Sequence, residues 1–429
     1  MQRFNRQIII FGVGNSKRSI ATYIIENYTD ILCVVDNDRN KWGTEISGYI
    51  VREPSDTTKY LQEENVTVVI ATFHYHKEIT KQLVDLGWDT QRILVAVNDY
   101  SFFRSIEFTA YLQNVNLYDP LPTVLNLELS GYCNCRCSYC PFHGEPNLKD
   151  GHKGFMKWGT MDAVIDVIKK IPSITTVDTT GPGEIFLHKQ WFEMLEKLLT
   201  HTNIRHVIMY TNGMLLTEDN IKKISLLSAE DVHIEISIDG ETPKENDEYR
   251  IGAQYAVVRE NIYEAKQFFE RSSQSIDIMI TNCYPTTLEE IESSDYKLDS
   301  KCNSIPQFLR DDFKGISVAS QKTFYYGKGE LSKFNIVEIE WPENAGGGCV
   351  NLFYRLPISY KGELLRCSCG QAGIEGIGSV FSDDILDLWH NEKVVELARK
   401  NFREQNLEED FCTGCPGKRK GKYSILIRK

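Results

Sequence analysis

A chain of 429 residues, 41% hydrophobic and 25% charged, has the balance of a globular protein and enough apolar material for several cores, which excludes disordered, collagen-like and membrane-embedded classes. A formal net charge of -12 excludes phosphate tracking along nucleic acid as the main task, because such a surface needs a basic balance. No apolar run reaches a membrane span and the first residues carry no signal-peptide core, so the sequence predicts a cytoplasmic protein with no membrane span and no nucleic-acid partner.

At about 150 residues per domain the length predicts about three domains, placed here at 1–118, 119–335 and 336–429. The first alternates strands and helices. Apolar Gln7 to Gly12 leads into a helical stretch from Lys17 to Tyr28. Strands at Ile31 to Val35, Val66 to Thr72 and Arg92 to Val97 follow, with a helix from Lys77 to Leu86. This βαβ pattern implies a parallel sheet. Phe11-Gly12-Val-Gly14 opens a helix after the first strand and Asp36 closes the second, as in a dinucleotide-binding fold, but Lys17 stands where that fingerprint has its third glycine.

After the prolines of Asp119-Pro-Leu-Pro122 the alternation restarts. Strands are expected near Val124–Leu129, Thr175–Asp178, His206–Tyr210, His233–Ile238, Ile276–Thr281 and Gly315–Ala319. Helices are expected near Gly159–Lys170, Lys189–Leu199, Glu218–Leu227 and Val257–Phe269. Six strands with crossover helices predict an α/β partial (β/α)6 barrel. Beyond about residue 340 the pattern breaks into Gly- and Cys-rich loops with one helix from Ile385 to Phe402, and the final basic cluster, Lys418, Arg419, Lys420, Lys422, Arg428 and Lys429, reads as a solvated end.

Nine of the twelve cysteines fall into two groups, and in a reducing compartment such groups point to metal ligation rather than disulfides. In Leu129-Ser-Gly-Tyr-Cys133-Asn-Cys-Arg-Cys137-Ser-Tyr139-Cys140-Pro141, Cys133, Cys137 and Cys140 form C-x3-C-x2-C directly after the first barrel strand. Three thiolates this close suit three irons of a cubane, with the fourth iron left open; by spacing alone, zinc with a distant fourth ligand is also available. Cys135 lies out of register and reads as a bystander. In the second group Cys349, Cys367, Cys412 and Cys415, with Gly362 between the first two, supply four thiols.

The first group resembles the signature of the radical S-adenosylmethionine (SAM) superfamily, with Tyr139 as the aromatic residue before the third cysteine. Thr180-Gly181-Pro182-Gly183-Glu184 resembles its glycine-rich motif for the SAM amino group. Thr211-Asn-Gly213 and Glu235-Ile-Ser237-Ile-Asp239-Gly240 resemble its third and fourth strand ends, where Ser237 faces SAM and Arg250 is a carboxylate partner. The second group is similar to the auxiliary-cluster region of SPASM/twitch enzymes, with the spacing of the 2-deoxy-scyllo-inosamine dehydrogenase family, which oxidises a secondary alcohol. The first domain resembles Rossmann-like modules of sugar-modifying enzymes, with nucleotide or sugar-nucleotide binding or docking as its role.

These resemblances imply two [4Fe-4S] clusters, SAM as cosubstrate, a flavodoxin or ferredoxin as electron donor, and a 5'-deoxyadenosyl radical that takes hydrogen from a small carbohydrate-type substrate. Dehydrogenation of an alcohol is the expected outcome. Epimerisation is the alternative, with Cys283, Cys302 or Cys369 as hydrogen donor, followed by peptide maturation and, from another class, a zinc-binding scaffold.

Overall fold

The computed structural model describes residues 7–13, 21, 24–25, 30–71, 76–95, 122–144, 153–292, 305–323, 330–340, 355–365, 367, 376–389 and 422–429. Gly14, Lys17, Cys302, Cys349, Cys369, Cys412, Cys415 and the stretch 390–402 lie outside them. The chain divides into two compact units, Met1–Pro120 and Leu121–Lys429.

In the first unit β1 (Gln7–Phe11), β2 (Ile31–Val35), β3 (Glu45–Ile46), β4 (Tyr49–Arg52), β5 (Val66–Ile70) and β6 (Ile93–Val95) form one sheet in the order β3-β4-β2-β1-β5-β6. All neighbours are parallel except the β3–β4 ribbon. The parallel strands thus run third, second, first, fourth, fifth in chain order, the arrangement of a doubly wound sheet. Ile8, Ile10 and Val34 enter one core while Ile9, Phe11 and Val35 enter another, which is why these strands are continuous apolar runs.

Asp36 closes β2, but its carboxylate is committed within the unit. It accepts from the backbone N–H of Val13 (2.9 Å) and of Asp38 (2.8 Å), and Lys41 Nζ lies 3.3 Å away.

The second unit contains β7 (Val124–Leu127), β8 (Arg136–Cys137), β9 (Thr176–Asp178), β10 (His206–Thr211), β11 (Asp231–Ser237), β12 (Arg250–Ile251), β13 (Ser275–Tyr284) and β14 (Ser317–Lys322). It continues with β15 (Phe334–Glu340), β16 (Arg355–Ile358), β17 (Glu363–Leu364), β18 (Gly378–Ser379) and β19 (Lys422–Arg428). Its main sheet runs β14-β13-β11-β10-β9-β7-β16-β17-β18. The six expected barrel strands are all parallel and in chain order, making an open barrel wall.

Helices Trp158–Ile168, Trp191–His201 and Tyr255–Phe269 cover that wall. Each buries residues three and four apart, as in Met194, Leu195, Leu198 and Leu199, so one stripe of each faces the core. Their partners are alternate strand residues: on β11, Val232, Ile234 and Ile236 are fully buried, whereas His233, Glu235 and Ser237 on the opposite face are half-buried.

Two departures from expectation concern the C-terminal third. The segment after 340, expected as loops, returns β16 to the main sheet parallel to β7 and adds the β17–β18 ribbon. Of the basic end, Lys418, Arg419 and Lys420 lie outside the described residues and Lys429 is exposed, but the segment around Arg428 is a strand: β19 pairs antiparallel with β15, and Arg428 is ion-paired with Glu241 and Glu245. Counting charge overlooked the apolar run Ile425-Leu426-Ile427, which is buried and drives the pairing.

Candidate active site

Strand β7 delivers the chain to the cysteine loop. Glu128 N–H donates to Ile358 of β16 (3.0 Å), holding the strand end, and Ser130 bridges to Phe155. In the loop the Cys135 N–H points to Cys133 Sγ at 3.4 Å, and the N–H groups of Phe142 and His143 point to Cys140 Sγ at 3.4 and 3.3 Å. Cys140 N–H donates to the Cys137 carbonyl at 2.9 Å, closing a tight turn between the two. None of these cysteines is in a disulfide; Cys133, Cys137 and Cys140 are half-buried, and Cys135, the expected bystander, is buried.

The glycine-rich turn packs on the start of that loop. A Cβ at Gly183 would stand 2.0 Å from the Ser130 carbonyl oxygen, so the backbones touch where only glycine fits. Gly181 lies against Glu128, and Pro182 separates the two glycines. Glu184 N–H donates to the Tyr132 carbonyl at 2.7 Å. The Glu184 carboxylate turns inward and accepts from Thr211 Oγ1 and from Asn212 N–H, both at 2.9 Å. Burial raises its pKa, with these hydrogen bonds pulling the other way. Asn212 then reaches back, its Nδ2 donating to Asn134 Oδ1 at 2.7 Å. The ends of three neighbouring strands are thereby tied to one loop.

A second tie comes from the far side. β12 pairs antiparallel with β8, bringing Arg250 opposite Cys137. Arg250 Nη1 lies 2.6 Å from Asp239 Oδ2, and the Tyr139 hydroxyl donates to the same carboxylate. Asp239 Oδ1 accepts from the Cys283 N–H at 3.1 Å. Burial, with the Asp239 charge behind it, holds the Tyr139 pKa well above its usual value, so the phenol stays a donor. Arg250, expected as a carboxylate partner, is thus already engaged with a carboxylate of the chain itself.

Ser237 ends β11 with its Oγ 3.5 Å from Thr281 Oγ1 of β13, and Cys283 stands two residues further along β13. Cys367 is half-buried, three residues beyond β17. Three positions not singled out from the sequence, Asn134, Asn212 and Asp239, carry much of the network. Their signal was location, since the last two sit at C-terminal ends of parallel strands, where β/α barrels keep their chemistry.

Among the described residues no group of three or more His, Cys, Asp or Glu side chains is placed to hold a metal ion. The fit to an iron–sulfur cluster rests on the donor set: three thiols in one short loop, two of them met by backbone N–H groups of the kind that tune cluster sulfurs.

Comparison with known proteins matches the family model described as the radical SAM superfamily to residues 127–292 and that of an iron–sulfur cluster-binding domain, SPASM, to residues 349–416. A model described as C2185-like, N-terminal, matches residues 4–94. Among curated proteins, the redox-sensing transcriptional repressor Rex 2 of Enterococcus faecalis (strain ATCC 700802 / V583) is 25% identical over 125 residues, 28% of this chain; the chain spans 55% of that relative's length.

Among solved structures, BtrN in complex with AdoMet and 2-DOIA is 16% identical at TM-score 0.42, covering 69% of this chain and 93% of that one. Native anSMEcpe with bound AdoMet is 17% identical at 0.43, covering 70% and 89%. SuiB of Streptococcus suis bound to S-adenosylmethionine is 15% identical at 0.44, covering 81% and 83%. The two cysteine groups lie within the matched segments, both of which imply [4Fe-4S] clusters: the chain carries a radical SAM domain at residues 127–292 and a SPASM-type iron–sulfur domain at residues 349–416.

Proposed function

We propose that this protein is a radical SAM oxidoreductase that dehydrogenates an alcohol of a small carbohydrate-type substrate: a sugar, amino sugar or nucleotide sugar. In this reading Cys133, Cys137 and Cys140 hold the active cluster, and Cys349, Cys367, Cys412 and Cys415 hold one auxiliary cluster. Gly181 to Glu184, Tyr139, Ser237 and Arg250 surround SAM. When bound, these groups would supply a 5'-deoxyadenosyl radical able to remove a hydrogen atom from an unactivated C–H bond and, at the auxiliary cluster, an acceptor for the second electron.

The observation that carries the substrate class is the inner face of the barrel wall. A barrel interior is usually filled with branched apolar side chains. Here it is polar and partly open. Tyr210 Oη donates to Glu235 Oε1 at 2.8 Å, His233 Nε2 lies 3.5 Å from the same oxygen, and Arg355 is ion-paired with the buried Asp178. Burial, with Asp178 and Glu235 adding to it, raises the Tyr210 pKa, so the phenol remains a donor. Such a face suits a ligand rich in hydroxyl groups, and Glu235 is the group there that takes the proton lost when an alcohol becomes a ketone. A flavodoxin or ferredoxin is the electron donor in this scheme.

The second reading, epimerisation, draws on Cys283, which shares the inward face of β13 with Thr281 and stands beside Asp239. It needs the thiol to return a hydrogen atom to the substrate.

Anaerobic iron and sulfide analysis with EPR tests the cluster assignment. About eight irons in the parent and about four in a Cys133→Ala/Cys137→Ala/Cys140→Ala variant are expected, with the SAM-sensitive signal only in the parent. Zinc in place of iron sinks the assignment. Incubation with sugars, amino sugars and nucleotide sugars should then give 5'-deoxyadenosine together with a ketone. An inverted alcohol selects epimerisation, and turnover of peptides alone removes the carbohydrate reading.

A further inference from the structure

We infer that Arg250 is a positioning residue for electron entry: its guanidinium, anchored by Asp239, sets the reduction potential of the cluster held by Cys133, Cys137 and Cys140. The inference rests on the reading of those three thiols as cluster ligands.

The backbone locks the cation to the loop. Arg250 leaves the helix Pro243–Tyr249 directly into β12, where it pairs with Cys137, and Ser138 N–H donates to the Tyr249 carbonyl at 2.8 Å. The Arg250 and Asp239 side chains are only 13% and 3% exposed, so water screens their charges little. The pairing is one-sided: Nη1 serves Asp239, while Nε is buried without a hydrogen-bond partner. The anchor is itself fixed, since Asp239 also accepts from the Tyr139 hydroxyl and the Cys283 N–H, and Asp239 N–H donates to Asn246 Oδ1 at 3.0 Å.

Antiparallel pairing sets Arg250 directly across from Cys137, in the loop that also carries Cys133 and Cys140. A reduced cluster in a medium of low dielectric needs compensation of its negative charge.

Reduction adds one electron to the cluster from a low-potential reductant, with no bond or proton exchanged. A fixed positive charge stabilises the reduced state and raises the midpoint potential, and the Asp239 carboxylate offsets part of that effect. Removing each charge therefore moves the potential in opposite directions.

The test is an EPR-monitored redox titration of the full-length, reconstituted protein with dithionite as reductant. SAM is left out, so a contact to its carboxylate cannot contribute. The signal followed is the one missing from the Cys133→Ala/Cys137→Ala/Cys140→Ala variant. Arg250→Gln should shift its midpoint to more negative potential, Asp239→Asn should shift it to more positive potential, and Arg250→Lys should stay nearest the parent. If Arg250→Gln does not load its cluster, Asp239→Asn and Arg250→Lys decide by the same signs. An unchanged midpoint in a loaded Arg250→Gln, or shifts of the same sign in Arg250→Gln and Asp239→Asn, overturns the inference and leaves Arg250 a structural brace. A parent with no signal that depends on the three cysteines overturns the ligand reading beneath it, a result distinct from the other two.

Discussion

Gly183 shows how one residue type can hold a site together. Its backbone lies against the Ser130 and Tyr132 carbonyls, where a Cβ would meet oxygen at 2.0 and 2.6 Å. Gly159, in the first turn of a helix, has nothing within 4 Å of the corresponding position. Gly183→Ala is therefore expected to cost about 1–3 kcal/mol, because backbone rather than a flexible side chain must move. Gly159→Ala should be neutral or stabilising by up to about 1 kcal/mol. Anaerobic urea denaturation of the two variants checks the contrast, and equal losses would remove the steric argument. The Gly183 variant should also load less iron, since Ser130 and Tyr132 lead directly into Cys133. At this scale the cysteine spacing and the Gly-Pro-Gly-Glu turn were legible, being local patterns. The Asp239–Arg250–Tyr139 hub was not, because its members stand 11 and 100 residues apart.

Among elements, β19 is the one that charge counting misread. Leu426 is completely buried and packs with Phe334, Leu331 and Tyr249, and Tyr139 of the cysteine loop lies against this group. Thr286 N–H donates to the Leu426 carbonyl at 2.9 Å, and Leu426 N–H donates to Thr323 at 3.1 Å, so the last strand bridges β15 and the end of the barrel wall. Leu426→Ala is expected to cost about 2–4 kcal/mol, whereas Ile336→Ala on β15, at a 37% exposed position, should change stability by less than about 0.5 kcal/mol. Guanidinium denaturation of both variants tests this. A small loss at Leu426 would mean that the strand is dispensable. Barrel strands and helices were readable because periods of two and 3.6 are written into each segment; β15, β16 and β19 were not, since pairing depends on a partner elsewhere in the chain.

At the scale of the molecule, each compact unit has its own cores: two about the sheet of the first, and a large one behind the barrel wall of the second. Calorimetry of the anaerobic protein should resolve two transitions. Removing iron should lower only the one belonging to Leu121–Lys429, because a group bound to the folded state stabilises the unit that binds it. A downward shift of both transitions would show that the units unfold together.

By itself the sequence determined that the chain is α/β, that parallel strands alternate with helices in the described parts of its first 320 residues, and that two cysteine groups belong to radical SAM and SPASM segments. These are short-range facts: hydrophobic period, turn chemistry and thiols a few residues apart. Only the tertiary structure decided that Arg355 returns to meet Asp178 across 177 residues, that Ile425-Leu426-Ile427 form the buried part of a last strand paired with β15, and that Asp36 and Arg250 are engaged by their own chain. The physical reason is that buried charges and strand edges must find partners wherever the packed chain brings them, and no local pattern records which distant segment that is.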